Sequence, residues 1–176
     1  MTRLQEMHPE LSPSMAWYYW HQGAIGLTRH HDYSGVDLRI IPDDLEQSGN
    51  VHWLDPAEDP ESRQRRVDVI HLDSRRALDY DRVTEDAAYA IALAVVRVVK
   101  GWVIDRRLQR EEFADWLLKD SDGNRIALEV SGVDSEVRKG TRLRRKLGQV
   151  RRCKAADTRA ACVVELRPPR SKMRMA

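Results

Sequence analysis

The chain has 176 residues, 41% hydrophobic and 33% charged, enough for one domain with a full core and short for two. No apolar run approaches the roughly 18 residues of a membrane helix, and the first 14 residues carry no signal-peptide core. Two cysteines, Cys153 and Cys162, give neither metal-ligand spacing nor a disulfide framework, so a reducing cytoplasm is expected. The formal net charge of +2 conceals an asymmetry: residues 1–81 hold 8 basic and 15 acidic side chains, residues 82–176 hold 22 and 13. Such a split implies a polyanion surface in the second half, shielded or balanced by the first.

In chain order, residues 1–20 read as an arm with Pro9 and Pro13 that ends in Trp17, Tyr18, Tyr19 and Trp20. These aromatics form either a base-stacking platform or a cap on the core. Strands are predicted at 24–28 and 36–41, the second from the alternation of Val36, Leu38 and Ile40 with Asp37 and Arg39. His30-His31-Asp32 reads as a turn, because adjacent strand residues face opposite ways and cannot easily share an ion. Residues 42–66, rich in Asp, Glu, Pro, Gly and Ser, read as a long loop, and 67–72 as a strand. Residues 1–81 are thus expected to be an acidic, β-rich extension packed on the core.

The second half is better defined. Residues 83–100 form a buried helix that Gly101 stops. Residues 102–106, 113–119 and 125–131 read as strands, the last two joined through Asp120-Ser121-Asp122-Gly123-Asn124. Residues 136–156 form a basic amphipathic helix with Leu143, Leu147 and Val150 as its seam, and 160–166 a strand stopped by Pro168 and Pro169. Residues 168–176 are a basic, frayed tail. The class is α+β, a central mixed β-sheet flanked by helices, with its core at 82–167.

Hairpin geometry then brings carboxylates together. A three-residue loop of Ser121, Asp122 and Gly123 sets Asp120 opposite Asn124 and, counting back, Asp115 opposite Glu129. Directly opposed residues share a face with Cβ atoms about 5 Å apart. Two carboxylates so placed invite Mg²⁺ or Mn²⁺, or else pair with Arg107 or Arg125 as a structural salt bridge. Glu85 heads the apolar row Ala88, Ala92, Val95/Val96 and Val99, which aims it inward as a third acid; a first-turn acid also complements the helix dipole.

Helix, three-stranded meander, helix, strand, with Glu85 on the first helix, Asp115 on the second strand and Glu129-Val130-Ser131 on the third, resembles the PD-(D/E)XK (restriction-endonuclease-like) nuclease superfamily over residues 82–167. The resemblance implies an αβββαβ core and a metal held by Asp115, Glu129, the carbonyl of Val130 and Glu85. Gln149 and Lys146 match polar residues that many members carry on the helix after the meander. Ser131 stands where the superfamily has lysine. Lys146 is the expected replacement cation, with Lys139 next.

Arg138, Lys139, Arg142, Arg144, Arg145, Lys146, Arg151, Arg152 and Lys154 occur between 138 and 154 with no acid among them. A one-sign run beside an apolar seam fits phosphate contact, which positions nucleic acid without reading sequence. Arg138, Lys139, Arg142, Arg145, Gln149 and Arg152 are the candidate contacts. The expected function is Mg²⁺-dependent hydrolysis of nucleic-acid phosphodiesters, DNA ahead of RNA, in a defence or repair system. The alternatives are a nuclease-fold protein that binds nucleic acid or a partner without cutting, and an interaction protein, including a homodimer, whose acidic half masks the basic half.

Overall fold

The structure is a computed structural model that describes residues 3–28, 36–42, 49–53, 80–133, 139–167 and 169–176. Helix α1 spans Arg3–Met7 and α2 Pro13–Thr28. Pro13 occupies the first turn, where a missing N–H costs nothing, and Ser12 Oγ accepts the Met15 N–H at 3.3 Å. The strand expected at 24–28 is instead the end of α2, so the extension starts with helices. The cause is tertiary. A Cβ on Gly26 would lie 2.4 Å from Ala87 Cβ, so this glycine admits close packing against the next helix, which offsets its poor helix propensity. The aromatic run lies within α2; Tyr19 and Trp20 are buried in the core, while Tyr18 stays exposed.

Strands β1 (Val36–Pro42) and β2 (Gly49–Trp53) pair antiparallel, so β2 falls inside the stretch expected to be a loop. The expected strand at 67–72, the His30-His31-Asp32 turn and Arg138 lie outside the described residues. Helix α3 runs Tyr80–Lys100 and ends on Gly101, whose φ of +68° makes it a left-handed cap with its N–H on Arg97 O. His8, fully buried, donates from Nε2 to Leu93 O at 3.0 Å and ties the N-terminal segment to α3; burial lowers its pKa and keeps it neutral.

After α3 come β3 (Val103–Arg107), β4 (Trp116–Lys119) and β5 (Arg125–Val133), then α4 (Lys139–Val150), β6 (Thr158–Leu166) and β7 (Pro169–Met175). Helix α4 ends at Val150, short of the expected 156, and residues 136–138 lie outside the described residues. Past it, the Asp157 N–H donates to Arg125 O and the Asp157 carboxylate accepts the Arg125 N–H, both at 2.9 Å, leading the chain into β6. The expected frayed tail is β7, paired antiparallel with β6 and burying Met173. Among the described residues the sheet has seven strands in the order β2-β1-β7-β6-β5-β4-β3, with β1/β7 and β5/β6 parallel and the other pairs antiparallel.

Both faces of the central strands are covered, which is why β5 is buried almost end to end. Trp116, Leu118, Ile126, Leu128 and Val130 face α2 and α3, whereas Leu117, Ala127, Ala161 and Val163 face α4 and the turn after it. Gly132 is required here: a Cβ would come 2.3 Å from Thr84 O, so β5 lies directly against the first turns of α3. That contact brings the start of α3 to the carboxylates described next. No described helix is long and apolar enough to cross a membrane.

Candidate functional site

The hairpin between β4 and β5 closes through Ser121, Asp122 and Gly123, with Gly123 at φ +82° and the Asp120 N–H on Asn124 O. The Asp120 carboxylate accepts the Asn124 side-chain amide at 3.0 Å and the N–H groups of Asn124 and Asp122, both at 2.9 Å, which together hold its carboxyl below the usual range. Lys119↔Arg125, Leu118↔Ile126, Leu117↔Ala127 and Trp116↔Leu128 then follow in register. Asp115 lies just before β4, where the ladder ends at Trp116↔Leu128. Its N–H donates to Leu128 O at 3.0 Å rather than continuing the register, and its side chain comes beside Glu129.

Asp115 is held from two layers. Its Oδ1 accepts the Tyr89 hydroxyl of α3 at 2.9 Å, and its Oδ2 accepts the Val130 N–H of β5 at 2.7 Å. Glu129 is 1% exposed; its Oε1 accepts from Lys146 Nζ of α4, and its Oε2 has no hydrogen-bond partner. Burial first, then the neighbouring Asp115 charge, pushes the Glu129 carboxyl up to about 7, against the pull of Lys146. Tyr89 is pushed well above its ordinary value by burial and by Asp115 and Glu85, so it remains a proton donor to Asp115. Two adjacent carboxylates, one with a buried oxygen that no N–H donor reaches, can share a proton or hold a hard divalent cation.

The other predicted residues divide. Arg107 and Arg125 do not form the salt bridge weighed for this pair: Arg107 donates to Tyr19 OH at 2.9 Å, and Arg125 lies 3.9 Å from Asp157. Lys119 bonds Asp105. Glu85 is exposed rather than aimed into the core, and among the described residues no three of His, Cys, Asp and Glu converge as a metal cage. Ser131 is 7% exposed and faces Arg142, whose Nη1 lies 3.5 Å from Ser131 Oγ and donates to Gly132 O at 2.6 Å. Arg142 is therefore turned into the fold. Arg145 stays exposed on α4, Gln149 is half-buried, and the Arg152 guanidinium lies 3.8 Å from the centre of the Phe113 ring. Lys139 opens α4.

Two residues that sequence reasoning passed over, Tyr89 and Trp116, complete the surroundings with Tyr19 of the aromatic run. Tyr89, Tyr19 and Trp116 pack edge to face, and the Arg107 guanidinium lies 5.6 and 5.8 Å from the Tyr89 and Trp116 ring centres. One signal was available: Tyr89 is the only polar side chain between Ala87 and Val96. No protein-family model matches the chain, and neither a curated protein nor a solved structure is detectably similar to it.

Proposed function

We propose that the protein is a metal-dependent nuclease that hydrolyses nucleic-acid phosphodiester bonds at Asp115 and Glu129. The observation that carries this reading is the buried pair itself: Asp115 beside a Glu129 whose Oε2 lacks any partner and whose Oε1 is held by Lys146. Lys146 reaches only one oxygen of the pair, so with both acids ionised at alkaline pH a divalent cation would relieve the remaining repulsion. The order helix, three strands, helix, strand from α3 to β6 supports the likeness to the PD-(D/E)XK superfamily.

Mg²⁺ or Mn²⁺ bound by Asp115 and Glu129 would supply Lewis acidity to the attacking water and to the phosphate. The protein's own groups set the geometry. Tyr89 O–H and Val130 N–H fix the Asp115 carboxylate, and each leaves the other lone pair of its oxygen available. Lys146 orients Glu129 and carries a positive charge to the side where Ser131 cannot supply one. Exposed Arg145 and Arg152 extend that positive surface along α4 and just past its end, where a phosphate backbone would lie.

The second reading, a protein that binds nucleic acid or a partner without cutting, is favoured by Ser131, whose hydroxyl meets Arg142 rather than a lysine. A Mg²⁺-dependent cleavage assay on wild type, Lys146→Ala and Ser131→Lys separates the two. If Lys146 supplies the charge, its removal slows cutting by about 10²–10³, and Ser131→Lys in that background restores part of it. Equal rates in wild type and Lys146→Ala refute the role of Lys146. Cutting that appears only in Ser131→Lys favours the binder.

A further inference from the structure

Tyr89 has two sides. Its hydroxyl is committed to Asp115, and its ring lines a separate cleft of about 480 Å³ with Tyr18, Tyr19, Arg82, Glu85 and Arg107. The cleft and the carboxylate pair are therefore neighbours through one hydrogen bond. We infer that this cleft holds one unpaired nucleoside of the substrate, flanking the phosphodiester at Asp115 and Glu129, so that the protein acts on single-stranded or frayed nucleic acid rather than on blunt duplex. The inference rests on the nuclease reading for what lies beyond Asp115.

Size and lining both fit. The volume falls within the range of small-ligand pockets, about 300–1,000 Å³. Tyr18 is exposed, and its hydroxyl is anchored on Asp86 at 2.5 Å, which fixes a ring available for stacking. Arg107 is pinned by Tyr19 OH and by the faces of Tyr89 and Trp116, so its planar guanidinium is oriented before any ligand arrives. Its remaining N–H groups suit the acceptors of a base edge, and the Glu85 carboxylate suits the donors.

The charge of the lining argues for a base and against a phosphate. Asp81, Glu85 and Asp86 outnumber Arg82 and Arg107, so an anion gains little there, whereas a neutral base and sugar meet no repulsion. The phosphates have α4, whose run of Arg and Lys contains no acid. A base inside a duplex cannot enter, because it is stacked and its hydrogen-bonding edge is occupied; an unpaired base pays far less to leave the stack.

The test is equilibrium binding, by fluorescence anisotropy in Ca²⁺, of a short labelled single-stranded DNA and of a blunt duplex of the same sequence. Wild type is expected to bind the single strand at least tenfold more tightly. Tyr18→Ala and Arg107→Gln should each weaken the single strand about tenfold and leave the duplex unchanged. Tyr18 is exposed, so its replacement reports even if Arg107→Gln impairs folding. Equal affinity for the two probes, parallel loss of both in Tyr18→Ala, or no measurable single-strand binding would each overturn the inference. Cleavage is a separate arm. Asp115-dependent cutting without strand preference removes the cleft and keeps the nuclease; Tyr18-dependent strand preference without cutting keeps the cleft and removes the nuclease.

Discussion

Two glutamates on adjacent strands of one sheet, Glu129 on β5 and Glu165 on β6, are each 1% exposed and each meet a cation. By strand alternation both point to the α4 side of the sheet, Glu165 following Ala161 and Val163. Their surroundings are opposite. Glu165 is paired across the ladder with Arg170 of β7, which donates Nε–H to it. Glu129 has its cation on a helix and a second carboxylate, Asp115, on the strand beside it. Burial alone therefore does not mark a reactive acid. Arg170 joins two strands and gives Glu165 a structural role, while the acid beside Glu129 raises its pKa and leaves a pair that can take up a proton or a cation.

The comparison can be broken most severely at the carboxylates. Asp115→Asn keeps shape but removes the second charge, and Mg²⁺-dependent cleavage should fall by about 10³. Glu165→Gln should leave the rate per folded molecule unchanged. Equal losses in the two variants, measured as initial rates on folded protein, would erase the distinction.

Stability should respond in the reverse sense. Arg170→Met strips a buried carboxylate of this cation and is expected to cost about 3–5 kcal/mol in denaturant unfolding at neutral pH. Lys146→Met should cost less, because Glu129 already titrates near neutrality and takes up a proton instead. A larger loss from Lys146→Met than from Arg170→Met would show that Glu129 is held charged for structural reasons.

The pH dependence sharpens the same point. Glu129 binds its proton more tightly folded, at about 7, than unfolded, near 4.5. Its contribution is fully present below about 4.5 and is lost as pH rises through 7. Across that window the wild type should therefore lose more stability with rising pH than Glu129→Gln does, buried His8 acting in the opposite sense in both proteins. An unchanged slope would mean that another group titrates.

The smallest effect belongs to the hairpin. Gly123→Ala meets no atom within 4 Å, so its cost is the positive φ alone, about 1 kcal/mol, with the spacing of Asp115 and Glu129 preserved. A loss of several kcal/mol, or a lost site, would show that the turn and not the ladder sets the register.

What could be read from sequence follows from what is local. The Asp120–Asn124 turn and the alternation around it are short-range signals, and they suffice to put Asp115 next to Glu129. The aliphatic run of α3 and its Gly101 stop are equally local. Helix α2 was hidden because Gly26 and the aromatic run look unlike a helix until Ala87 supplies the close contact. Strand β7 was hidden because Arg170, Ser171 and Lys172 read as a solvated tail, and only pairing with β6 makes them interior. Tyr89 touches Asp115 across 26 positions, and no periodicity reports such a meeting.

The central claim is that Asp115 and Glu129 share a divalent cation. Titration of the protein with Mn²⁺, followed by electron paramagnetic resonance, tests it without any substrate. The account predicts Mn²⁺ binding at pH 8 that weakens as the pH falls below about 7, where Glu129 takes up its proton, and that is lost in Asp115→Asn. Binding that survives Asp115→Asn unchanged, or no binding by the wild-type protein, would contradict it.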